Sequence, residues 1–119
     1  MTSYKTDESE WNFALAYFNR LDNAIKVCNL NKFQNNYKAW FDALWVLHDE
    51  LYPQMKPDER KELERLKNYS LQLVKVGASV DVFTMRNALS SYERELRLIM
   101  KERGMDMPRK SDPTRALLN

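Results

Sequence analysis

Glycine, proline, cysteine and histidine are all scarce in this chain, and each scarcity excludes something. Among 119 residues there are 2 Gly and 4 Pro. Folds made of many short strands need a turn residue every few positions, so these few breakers predict a small number of long helices. Gly77 and Gly104 stand too far apart to form a Gly-rich phosphate loop. Cys28 is the only cysteine. A lone thiol cannot close an internal disulfide, so no oxidising compartment is implied. His48 is the only histidine. Metal sites of the HExxH type need two His on one helix face, and carboxylate-bridged di-metal bundles need Glu-x-x-His on two helices. The residue three before His48 is Trp45, so neither pattern exists.

Long apolar runs and a one-sided charge are missing as well. No run approaches the roughly 20 apolar residues of a membrane span. The start, Met1 to Glu8, is polar and acidic and lacks the apolar segment of a signal peptide. These features predict a cytoplasmic protein with no membrane contact. The net charge of +2 is too small to point to nucleic acid by itself. Glu59 and Glu62 have the spacing of helical carboxylates that hold magnesium, but the second pair would fall near Lys75 and Ala78. No catalytic group, metal ligand, cofactor site or small-molecule substrate is predicted, and the expectation is a protein that is not an enzyme.

What is present is helical periodicity. Val82, Met85, Leu89, Tyr92, Leu96 and Ile99 follow at steps of three and four, a heptad seam that Gly104 closes. This predicts a helix over about 80–103, capped by Ser79 or Asp81, with Glu93 and Arg97 paired one turn apart. Near the start, Trp11, Phe18 and Ile25 are seven apart, as are Ala14, Leu21 and Cys28, which predicts a helix over about 7–29. Asn29-Leu30-Asn31 reads as a tight break, because Asn tolerates the left-handed conformation at a helix end. A second helix is then expected over about 32–52, with the seam Phe33, Tyr37, Trp40, Leu44, Leu47 and Leu51. Pro53 and Pro57 end it and start a third helix over about 57–76, whose inner face is Leu63, Leu66, Tyr69, Leu73 and Val76.

The expected fold is therefore all-α. It is an antiparallel up-down-up-down four-helix bundle, one domain over 1–104, followed by a short, loosely ordered C-terminal tail over 105–119 with a helical turn at 113–118.

Two features exceed what such a bundle needs. The second helix carries an additional stripe, Phe41, Trp45, His48 and Tyr52. Two apolar stripes need two partners or an interface, so this stripe, with Leu117 and Leu118 of the tail, is the expected contact surface of a homo-oligomer or an adaptor. The alternative is a small nucleic-acid-binding regulator. Arg94, Arg97 and Lys101 share one outward face of the last helix and Arg109 and Lys110 follow, although Glu93, Glu95, Glu102 and Asp106 interleave with them.

Overall fold

Two prolines and a glycine divide the chain at the positions where the sequence places them. The structure is a computed structural model, and it describes residues 2–104, with side chains from Leu15 to Gly104. Four helices make it up: α1 (Thr2–Phe33), α2 (Tyr37–Leu51), α3 (Pro57–Val76) and α4 (Val82–Glu102). Single 3-10 turns at Tyr52–Gln54 and Gly77–Ser79 join the last three. No strand occurs among the described residues. The tail over 105–119 lies outside them.

Local chemistry explains the boundaries. Pro57 opens α3, and the Lys56 backbone N–H donates to Glu59 Oε1 at 2.8 Å, satisfying a donor that the helix leaves free. Gly77 ends α3 at φ 66°, ψ −111°, a conformation that residues with a Cβ rarely take. Asp81 caps α4 by accepting from the Thr84 backbone N–H at 3.2 Å.

The first turn departs from expectation. α1 does not stop at Asn29 but continues to Phe33, and α2 starts at Tyr37 rather than near Lys32. Asn31 is buried inside α1, where its amide donates to the Val27 carbonyl at 2.8 Å, so it has no need to leave the helix. The expected asparagine chemistry occurs five residues later. Asn35 takes the left-handed conformation at φ 56°, and the Asn36 side chain accepts from the Ala39 N–H at 3.3 Å. Phe33, expected on the α2 seam, is consequently the last residue of α1 and 87% exposed.

Cross-helix contacts are compatible with consecutive helices running in opposite directions. Arg20 of α1 pairs with Glu50 at the end of α2, while Lys32 at the end of α1 lies over the ring of Trp40 near the start of α2. Arg103, just past α4, pairs with Glu59 in the first turn of α3. α2 sits centrally: Trp40, Phe41, Leu44, Leu47 and Leu51 all reach the core. There they meet Leu21, Ile25 and Cys28 from α1, Leu63 and Leu66 from α3, and Met85, Leu89, Tyr92, Leu96 and Ile99 from α4. Val82, expected to begin the α4 seam, is exposed, so the buried seam begins at Met85. No helix of the described residues is long and apolar enough to cross a membrane.

Candidate interaction surfaces

The additional stripe of α2 is largely consumed within the chain. Phe41 is 1% and His48 2% exposed, so neither offers an outer surface, contrary to the expectation of a free aromatic stripe. The second partner that the stripe needs is α3, together with Tyr92 of α4. His48 Nδ1 and the Tyr92 hydroxyl share a buried hydrogen bond at 2.6 Å, and their rings meet edge to face at 5.6 Å. Burial, and then the Lys67 ammonium, hold His48 below its ordinary pKa; burial pushes Tyr92 upward. Trp45 and Tyr52 are half-exposed, and each is covered by a cation from α3. Lys67 Nζ lies 4.9 Å from the Trp45 ring centre and the Arg60 guanidinium 4.3 Å from that of Tyr52. Leu117 and Leu118 lie outside the described residues.

The basic edge is divided too. Arg97 donates to Glu93 Oε2 at 2.8 Å and to Asn29 Oδ1 at 3.2 Å. Its charge is therefore spent on an internal pair. Arg94 and Lys101 are exposed and make no side-chain hydrogen bond or ion pair among the described residues. Arg109 and Lys110 lie outside the described residues.

Glu93 is the centre of a polar cluster that the sequence shows only in part. The expected Arg97 partner is present, but Glu93 itself is buried, and it joins three helices. Trp40 Nε1 donates to its Oε1 at 2.9 Å and Lys32 Nζ to its Oε2 at 2.9 Å. Burial raises the pKa of such a carboxyl. Here the hydrogen bonds from Lys32, Trp40 and Arg97 outweigh that and hold it below the usual carboxylate range. The carboxylate itself is buried, while Lys32 and Arg97 keep partial access to solvent. Nearby Cys28 is also buried, and burial together with the Glu93 charge pushes its thiol up to about 12, so it is a poor nucleophile.

A different face of α2 borders an open groove. On the outer side of the α1–α2 pair, away from α4, lies a groove of about 490 Å³. Its floor is Ala24, Ala39 and Ala43, its walls are Val27 and Val46, and Arg20, Asp42 and Glu50 rim it. The small floor residues let the two helix backbones leave a channel, and the exposed valines, 45% and 53% accessible, present apolar edges to it. Ala39, Ala43 and Val46 stand at steps of four and three, a third face of α2 that attention to the bulky aromatics conceals. Among the described residues no element covers this channel. In comparisons with protein-family models, with curated proteins and with solved structures, nothing similar to this chain was found.

Proposed function

We propose that this protein is a non-enzymatic, cytoplasmic helical interaction module, and that it takes up an amphipathic helix in the α1–α2 groove. The single observation that supports this reading is the shape of the groove: an alanine floor between valine walls, with charges of both signs only at the rim. Helix-in-groove recognition uses such a channel, in which apolar residues at steps of three, four and seven seat against small residues. The reading moves the contact surface from the aromatic stripe of α2, which seats α3, to the opposite face of the same helix. The nucleic-acid reading has weaker support, because Arg97 is committed to Glu93, which leaves Arg94 and Lys101 as the exposed and unpaired members of the basic edge among the described residues.

The test uses two fluorescein-labelled peptides, residues 2–17 and 105–119 of the chain itself. Fluorescence anisotropy is followed as the full-length protein is added. Saturable binding of one peptide, lost with V46E, is the expected result. Val46 is about half accessible, so V46E should leave the fold intact. Binding of neither peptide, or binding indifferent to V46E, would overturn the reading.

A further inference from the structure

Resting on this groove reading, we infer that its occupant is the amino-terminal half of α1 from a second copy of the chain, the two α1 helices crossing antiparallel. Length is the first argument. At 1.5 Å per residue the 32 residues of α1 span about 48 Å, against roughly 22 Å for the 15 residues of α2. Glu50, one residue from the end of α2, pairs with Arg20 and accepts through its carbonyl from the Tyr17 hydroxyl at 2.8 Å. Residues 2–16 therefore run beyond the last turn of α2. Leu15 and Ala16, the first α1 side chains described, are exposed.

The second argument is the pattern on this overhang. The groove face of α1 is Arg20, Asn23 and Val27. Seven residues before Arg20 stands Phe13 and seven before Asn23 stands Ala16, so the first heptad of the overhang has apolar residues at these register positions, and the next heptad has Thr6 and Ser9. An antiparallel crossing centred near residue 20 sets Phe13 of one chain opposite Val27 of the other. Two-fold symmetry then makes the contact twice, each overhang lying in the other chain's groove. Two such contacts count toward the ~800 Å² per partner that stable association needs.

Charge is the third argument, and it selects the direction. Thr2–Tyr17 carries Lys5 against Asp7, Glu8 and Glu10, a side-chain charge of −2. Phe18–Phe33 carries Arg20, Lys26 and Lys32 against Asp22, a charge of +2. Antiparallel pairing sets each acidic half against a basic half, and parallel pairing would set like against like.

Sedimentation equilibrium on the full chain between 1 and 100 µM tests this. The wild type should reach twice 14.2 kDa, with weaker association as salt is raised. V46E should weaken dimerisation at least tenfold without altering the circular dichroism spectrum. A variant with F13C and V27C should form an interchain disulfide on oxidation. A wild type that stays monomeric throughout, or a dimer insensitive to V46E that gives no interchain crosslink, would overturn the inference. A monomer that still binds the 2–17 or 105–119 peptide in a V46E-sensitive way would end the dimer and leave the docking reading standing; binding of the tail peptide would then make the chain's own carboxy-terminal segment the occupant. A monomer that binds neither peptide would end both.

Discussion

Trp40 Nε1 donates to Glu93 Oε1 at 2.9 Å, joining residues 53 positions apart in the interior of the bundle. Lys32 and Arg97 complete the set of donors to this one carboxylate. Glu93→Ala would leave an indole N–H and two cations without their acceptor. Breaking a fully buried pair costs about 3–5 kcal/mol, and because Lys32 and Arg97 keep some access to solvent the expected loss is nearer ~2–3 kcal/mol. Urea denaturation followed by far-ultraviolet circular dichroism measures it; a loss below ~1 kcal/mol would contradict this account.

The same carboxylate sets an acid limit. Its folded pKa lies below the ordinary carboxylate value. Its contribution is therefore present above the unfolded carboxylate pKa of about 4.3 and is lost as pH falls through the folded value. Unfolding free energy should drop below about pH 4.3, and Glu93→Gln should flatten part of that slope. Denaturation midpoints taken from pH 7 down to pH 3 compare the two proteins.

His48 carries a separate pH dependence. Burial and the Lys67 charge favour its neutral form, with Glu64 and Asp49 opposing. A histidine whose pKa is depressed on folding confers stability that is complete above its unfolded pKa of about 6.5 and declines as pH falls from there toward the folded value. As the only histidine, it gives one imidazole C2 proton resonance to titrate. The midpoint should fall below 6.5 in the folded protein and return to about 6.5 in urea. An unshifted native midpoint would count against the buried placement.

Ser70 is fully buried in α3 and its hydroxyl has no hydrogen-bond partner among the described residues. Ser70→Ala removes an unsatisfied polar atom, so it should be neutral or stabilise by up to about 1 kcal/mol. A destabilised variant in thermal unfolding would mean that the hydroxyl is satisfied.

Gly77 separates conformational strain from steric conflict. A Cβ built there meets nothing within 4 Å among the described residues, yet φ is +66°. Gly77→Ala should therefore cost about 1–2 kcal/mol through backbone strain alone. Asp81→Ala should cost about 1 kcal/mol through the lost α4 cap. Thermal melts of both variants, and of the double variant, would show whether the two losses add.

Much of this fold is legible in the sequence because its later boundaries rest on residues with only one physical reading. Pro57 and Gly77 bracket α3 where expected, and Asp81 caps α4. The first turn lies later than the sequence suggests because the chain offers asparagine twice. Asn29 and Asn31 resemble Asn35 and Asn36 in type, and a helix-internal hydrogen bond to Val27 is what separates them. The Phe41–Tyr52 stripe was readable as surplus but not as the seat of α3. Periodicity shows that a face needs a partner without saying which element supplies it. The groove leaves little trace in the sequence because alanines at helical spacing carry little hydrophobic signal, and only the third dimension shows that their small size leaves a channel.

A carboxylate shared by three helices also constrains how the molecule comes apart. Lys32, Trp40 and Glu93 belong to α1, α2 and α4, so neither the α1–α2 hairpin nor the α3–α4 hairpin holds the whole cluster. A nick in the Gly77–Ser79 turn would divide the chain into pieces that each hold part of one buried charge network. Such fragments should be poorly structured apart and regain cooperative unfolding only when mixed, which makes the interior itself the element that reunites them.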